Sequence, residues 1–242
     1  MAAPLLERFR SGDRNAFRLF VDKYAGLVFN TACRMVRNEA DAEDATQEAF
    51  AYIARNADKY MGGSERAYVC GVAVRHSLNA IRSRRRRRKL EREFAVEKRS
   101  NSYAGEQLSA ELKEALEDAL SELPHKLRAA VVLHHIEGLT SGEVAQALSI
   151  REGTAKSRTS RALERMRKKL AQNGFPAVAA LPALMGQLPR FQPSAKLIEV
   201  CRAAVSLTPT ATVAKIVAGG ALMKKAQLAV TVIVVLVLSG IC

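Results

Sequence analysis

Apolar residues in the N-terminal part of the chain recur at helical spacing. Phe17, Phe20, Val21, Tyr24, Leu27 and Val28 fall on one face of a helix, and few residues between Asp13 and Arg82 favour strands. In DAEDATQEAFAYIARNA, Ala42, Ala45, Ala49, Tyr52 and Ile53 form an inward stripe that leaves Asp44, Gln47, Glu48 and Arg55 outside. The paired glycines of YMGGSERA break the pattern and predict a loop between two helices. A second helical block begins near Leu108. There ELKEALEDALSEL runs to Pro124, a residue suited to opening the next helix, HKLRAAVVLHHIEG. Gly138 supplies the permissive backbone expected where that helix ends. Thr140 and Glu143 have capping-box spacing, so a short helix starts there and turns Val144, Ala145, Ala147 and Leu148 inward. After Ser149 and Ile150, REGTAKSRTSRALERMRKKL predicts a longer helix with Ala155, Ala162, Leu163, Met166 and Leu170 along one side. Short helix, tight turn and longer basic helix is the helix-turn-helix order.

Between the two blocks, RKLEREFAVEKRSNSYAGEQ is charged and weakly periodic, which is a linker composition. Past Leu170, Pro176, Pro182, Pro189 and Pro193 interrupt an apolar segment. SAKLIEVCRAAVSL then places Leu197, Ile198, Cys201, Ala204 and Val205 on one side of an amphipathic helix, suited either to a membrane surface or to packing on the preceding domains. Ala226 to Cys242 carries no charge and sits at the short edge of what spans a bilayer of roughly 30 Å. Lys224 and Lys225 before it suit a cytoplasmic flank, so a single membrane span is expected ahead of a buried helix or a strand. The predicted fold class is all-α: two small helical domains, 9–83 and 108–171, joined by a charged linker, 84–107, the second being a helix-turn-helix domain. A Pro-interrupted apolar linker with an amphipathic helix, 172–223, and an apolar C-terminal helix, 224–242, complete the chain.

Charge narrows the partners. Lys and Arg number 38 against 24 Asp and Glu, a net charge of +14 over 242 residues, which favours nucleic acid or a membrane surface. Arg82, Arg84 to Arg88 and Lys89 form one basic run, readable as a solvated, extended linker or as a phosphate contact. On the last helix of the second block, Lys156, Ser157, Ser160 and Arg161 share a face opposite the apolar side, where a recognition helix meets base edges. Arg151, Arg158 and Arg165 suit flanking phosphates. The helix carrying Asp44 and Glu48 is a poor DNA surface and reads as solvated exterior or as a dock for a basic protein patch. Cys33, Cys70, Cys201 and Cys242 form no C-x-x-C pair, and adjacent His134 and His135 point apart on a helix, so no metal or other cofactor is expected. No Gly-rich phosphate loop, nucleophile elbow, H-E-x-x-H or kinase motif supports an enzyme, and the N-terminus is not a secretory signal.

Two segments together carry a family resemblance. DAEDATQEAF resembles the core-polymerase-binding segment of bacterial extracytoplasmic-function (ECF) sigma factors, and LPHKLRAAVVLHHIEGLTSGEVAQALSIREGTAKSRTSRALERMRKKL resembles their promoter-reading domain. The resemblance runs from roughly Phe9 to Leu170 and implies a two-domain, non-enzymatic initiation factor whose partners are core RNA polymerase and promoter DNA. It implies polymerase binding by Asp41, Asp44, Gln47 and Glu48, and reading of the minus-35 element by Arg151, Thr154, Lys156, Ser157, Arg158, Ser160 and Arg161. Capture of a minus-10 base is implied for Tyr60, Tyr68, Arg75, Asn79 and Arg82. AYVCGVAVRHSLNAIR resembles the family's W-L-x-x-I-A-x-N segment, but Tyr68 stands where Trp is usual and Arg75 where Asn is usual, so the same base choice is not implied. Ser149 stands where the turn usually has Gly. The linker in this family threads the polymerase near the transcript path. An anti-sigma partner is open, and no H-x-x-x-C-x-x-C pattern of the zinc-binding anti-sigma type is fused here. The expected location is cytoplasmic, with the C-terminal helix as an anchor in the inner membrane. The competing reading is a membrane-anchored helix-turn-helix regulator that never touches polymerase and would have no need of the DAEDATQEAF helix.

Overall fold

The structure, a computed structural model, describes residues 3–90, 110–175 and 180–204. The chain divides into two compact units, Met1–Val205 and Ser206–Cys242, and the described residues lie in the first. They are helical throughout, without strands: α1 (Leu5–Arg10), α2 (Arg14–Val36), α3 (Glu39–Arg55), a 3-10 turn (Ala57–Lys59), α4 (Glu65–Leu90) and α5 (Ala110–Glu122). α6 (His125–Val131), which runs into a π turn (Val132–Ile136), α7 (Ser141–Leu148), α8 (Glu152–Gln172), α9 (Leu181–Gly186) and α10 (Ala195–Ala203) complete them.

Side-chain caps set several of these boundaries. The Asp13 carboxylate accepts from Ala16 N–H at 3.1 Å to start α2, and Asn38 Oδ1 accepts from Asp41 N–H at 2.9 Å to start α3. Between them, Arg37 takes the left-handed conformation that ends α2. Thr140 and Glu143 form a complete capping box at α7, as their spacing predicts. Burial gives the Glu143 carboxyl little opposition to these bonds, so hydrogen bonds from Thr140 and Ser64 hold it below the usual carboxylate range.

α2, α3 and α4 pack around fully buried Phe17, Phe20, Met35, Phe50 and Ile53, with Phe20 and Phe50 edge-on at 6.3 Å. Ala42, Ala45 and Ala49 lie buried on α3, a small-residue stripe beside which neighbouring helices approach closely. A second cluster joins Leu116 and Leu120 of α5, Val132 and Ile136 of the π turn, Met166 and Leu170 of α8, and Leu181 and Met185 of α9. The first cluster does not stop at α4. Ala129, Ala130 and Leu133 from the α6 stretch, Val144 and Ala145 of α7 and Ala155 of α8 belong to it. Polar contacts cross the same boundary. Asn30 and Thr31 donate to the fully buried Glu137 carboxylate, Arg34 pairs with Glu117, and Arg128 Nη1 donates to the Met35 carbonyl at 2.9 Å. Burial pushes the Glu137 carboxyl above its usual range, against the pull of Asn30 and Arg190, and lowers the Arg128 guanidinium to about 10.

Two boundaries differ from the sequence expectation. α4 continues through the arginine run to Leu90 rather than giving way to linker at residue 84. Arginine is a good helix former, and Arg84 Nη1 lies 3.2 Å from Asp41 Oδ2, which ties the extension to α3. The proline-interrupted segment carries α9 and α10 packed on the helices before them. Pro182 sits in the first turn of α9, where a missing N–H costs nothing, and Ser194 caps α10 by accepting from Leu197 N–H at 3.1 Å. Of the two surfaces open to the amphipathic helix, α10 takes the protein one, burying Leu197 and Cys201 against α2 and α3. Among the described residues no helix is long and apolar enough to cross a membrane, and the expected span, 224–242, lies outside them.

Candidate nucleic-acid interface

α7 and α8 are joined by a turn that Ser149 closes in the left-handed conformation, φ 53°. Its N–H donates to Gln146 O at 3.2 Å, and Ile150 N–H donates to Ala145 O at 2.9 Å, the paired bonds of a Schellman ending. Serine therefore does the work usually given to glycine there, at some cost in backbone strain. α8 then buries Ala155, Thr159, Ala162, Met166 and Leu170, which turns its other side to solvent. Arg151, Thr154, Lys156, Ser157, Ser160 and Arg161 are exposed, and Arg158 is half-buried. Thr159, absent from the sequence expectation, donates back to Ala155 O at 3.1 Å, which explains how a polar residue fits the buried side. Lys156 Nζ lies 2.7 Å from Glu152 Oε1, so the lysine is oriented along the helix rather than free.

The acidic face lies on α3. Asp44 and Glu48 are exposed and Gln47 is half-buried beside them, one turn apart on a single face. Asp41 belongs to a different environment, half-buried and paired with Arg84. Glu48 is 3.9 Å from His76 Nδ1, and burial lowers the imidazole's pKa, so the histidine adds no charge to this face at neutral pH.

Tyr68, Arg75, Asn79 and Arg82 fall on one stripe of α4. Arg75, Asn79 and Arg82 are exposed, with Arg82 Nη1 donating to Asn79 Oδ1 at 3.1 Å and the Arg75 guanidinium 5.4 Å from the Tyr52 ring centre. Tyr60 is not on this surface. It is buried at the loop after the 3-10 turn, and its hydroxyl donates to Gly63 O at 2.6 Å, fastening the glycine loop. Its ring meets Tyr68 at 5.4 Å. The Tyr68 hydroxyl is buried without a hydrogen-bond partner among the described residues, and burial pushes it up to about 12.

The structure adds residues that periodicity did not single out. Gly71 lies on the same stripe between Tyr68 and Arg75, and a Cβ there would overlap the Ala147 carbonyl of α7. Ser64 Oγ donates to Glu143 Oε1 at 2.8 Å, and Arg66 donates to the Glu137 carbonyl. A glycine inside a helical pattern was the only available signal for this close approach. Among the described residues, Cys33, Cys70, Cys201 and the adjacent histidines offer no reactive centre. Burial raises the Cys33 and Cys201 thiols to about 12 and Cys70 further, and His134 Nδ1 donates to Leu139 O at 2.7 Å. Among the described residues no group of His, Cys, Asp or Glu could hold a metal ion.

Comparisons with known proteins agree with this layout. The Sigma-70 region 2 family matches residues 20–87, and the Sigma-70, region 4 family matches residues 113–166. The ECF RNA polymerase sigma-E factor of Haemophilus influenzae is 30% identical over 178 residues, 69% of this chain and 93% of that protein. The ECF sigma factor SigW of Bacillus subtilis is 28% identical over 176 residues, 68% of this chain and 94% of that protein. Among solved structures, the sigma factor RpoE of Bartonella quintana, crystallised with the anti-sigma factor NepR, superposes with a TM-score of 0.52 at 22% identity. That match covers 60% of this chain and 90% of the other. CnrH, solved with the cytosolic domain of CnrY, superposes at 0.53 and 20% identity over 69% of this chain and 96% of its own. These structures share the fold, while the family models and the sequence relatives carry the assignment. An acidic helix, a helix-turn-helix and relatives matched over nearly their whole length make this chain a member of the ECF sigma factors, which direct RNA polymerase to promoters.

Proposed function

We propose that this sigma factor docks on core RNA polymerase through the α3 face of Asp44, Gln47 and Glu48, with Asp41 at its edge. α8 then reads the minus-35 element with Lys156, Ser157, Ser160 and Arg161, while Arg151, Thr154 and Arg158 hold the backbone. The α4 stripe of Tyr68, Arg75, Asn79 and Arg82, supported from beneath by Tyr60, receives the minus-10 element. In this assignment residues 9–83 form the first functional domain and 108–171 the second. The observation that carries the reading is α8, whose basic and hydroxyl side chains are exposed on its N-terminal half behind a capped helix and a tight turn. The work is binding rather than catalysis, and no resident cofactor enters it.

The solved relatives RpoE and CnrH are bound to NepR and CnrY, and we propose a protein anti-sigma partner for this chain by analogy. Attachment of the uncharged Ala226–Cys242 segment to the inner membrane is also a proposal, resting on its composition. Run-off transcription with purified core polymerase tests the central reading. A promoter-dependent transcript is expected, and its absence on every template would favour a regulator that binds DNA without polymerase. Fractionation of the full chain tests the anchor, for which recovery in the soluble fraction at low salt is the contrary result.

A further inference from the structure

We propose that residues 180–204 form an intramolecular strap that holds the sigma factor closed, with α7 seated on α4 at Gly71, beside the stripe residues assigned to the minus-10 element. The proposal rests on that assignment. The segment grips both halves of the fold within a short length of chain. α9 inserts Leu181 and Met185 into the cluster of α5, α8 and the π turn. α10 inserts Leu197 and Cys201 into the cluster of α2 and α3, and its Arg202 lies 2.6 Å from Asp22.

Between these anchors the strap crosses the junction itself. Arg190 Nη1 lies 3.1 Å from Glu137 Oε2 and its Nη2 donates to Ile136 O at 3.0 Å. Phe191 N–H donates to Asn30 Oδ1 at 3.1 Å, and the Arg34 guanidinium sits 5.2 Å from the Phe191 ring centre. Glu137 is fully buried where the two halves meet, held by Asn30 and Thr31 from α2 and by Arg190 from the strap. The strap thus supplies the cation that pairs directly with this carboxylate in the junction, with Arg34 of α2 as a second nearby positive charge.

The closed arrangement cannot serve both promoter elements. α7 covers Gly71, on the stripe between Tyr68 and Arg75, and its capping Glu143 accepts from Ser64 in the loop that opens α4. α4, α7 and α8 touch in succession, and packed helices lie about 8–10 Å apart, so the two reading faces sit within roughly 30 Å. The elements are named for centres about 25 base pairs apart, on the order of 85 Å of duplex at about 3.4 Å per pair. Engagement of both requires α7 to leave α4, and the strap opposes that separation.

The test uses the full chain with Leu197→Asp, which undocks α10, and separately with Arg190→Met plus Phe191→Ala, which loosens the crossing. Helical circular dichroism establishes that each remains folded, small-angle scattering reports opening, and run-off transcription with core polymerase reports function. A larger radius of gyration and at least about fivefold more transcript than wild type at limiting protein are expected, the lower end of typical coupling between linked sites. A folded variant that stays as compact as wild type, or that opens and transcribes no better, overturns the strap. No transcript from wild type or variants counts against the sigma reading instead, while scattering still reports whether the strap holds the halves together.

Discussion

Tyr68 shows at the scale of one residue how burial and function pull against each other. Its ring packs on Tyr60, but its hydroxyl is buried without a partner among the described residues, an arrangement that costs about 1–3 kcal/mol. Tyr68→Phe is therefore expected to stabilise the protein by about 1 kcal/mol, seen as a rise in melting temperature, since the ring contacts are kept. An unchanged or lower midpoint would mean that the hydroxyl has a partner after all. Glu143 gives the opposite lesson. Bonds from Thr140 and Ser64 hold its carboxyl below the usual range, so its contribution is present above the unfolded value and lost as pH falls through the folded one. Melting curves of wild type and Glu143→Gln should differ at neutral pH and converge in acid. The capping box itself was legible from Thr140 and Glu143 alone, because it is a local bond over three residues. Tyr68's environment was not legible, because it depends on a ring from the far side of a glycine loop.

At the scale of the element, what could be read was what each helix carries, and what could not was what it meets. The stripe on α8 was visible as Ala155, Ala162, Met166 and Leu170, and its reading face followed by exclusion. Arg161→Ala should cost about 1–3 kcal/mol of promoter affinity and relax minus-35 selectivity, whereas Arg158→Ala should weaken all sequences alike and lower the salt slope by about 1. Binding titrations over salt and sequence distinguish the two. α10 was equally legible as an amphipathic helix, yet no sequence pattern could tell its docking groove on α2 and α3 from a lipid surface. Glu137 was missed for the same reason, since Asn30, Thr31 and Arg190 approach it from distant parts of the chain. Burial raises its carboxyl, so its contribution is full below the unfolded carboxylate value and lost as pH rises through the folded one. Asn30, Thr31 and Arg34 of α2, Arg66 and Cys70 of α4 and Arg190 of the strap surround it, with Arg190 and Arg34 opposing the rise. Arg190→Met removes the nearest cation and should raise the carboxyl further. Its loss of stability should be largest at neutral pH and shrink toward acid, as denaturant titrations across pH would report.

For the whole molecule, the sign of the charge separates the partners. The net charge of +14 draws the chain toward DNA, yet α3 presents Asp44 and Glu48 to solvent with no charged histidine beside them at neutral pH. Asp44→Lys with Glu48→Lys reverses that face without touching a buried residue, so stability should move by no more than about 0.5 kcal/mol for each substitution. Affinity for core polymerase should fall about tenfold or more, because like charges would then oppose across a desolvated contact. Promoter-dependent transcript should fall with it. DNA affinity of the sigma factor alone should hold or rise, since the change adds four positive units and strengthens the salt-dependent attraction to phosphate. Loss of polymerase binding with DNA binding retained separates docking from promoter reading in one variant. Undiminished polymerase affinity would return the acidic face to plain solvated exterior and leave the docking surface to be found elsewhere on α2–α4.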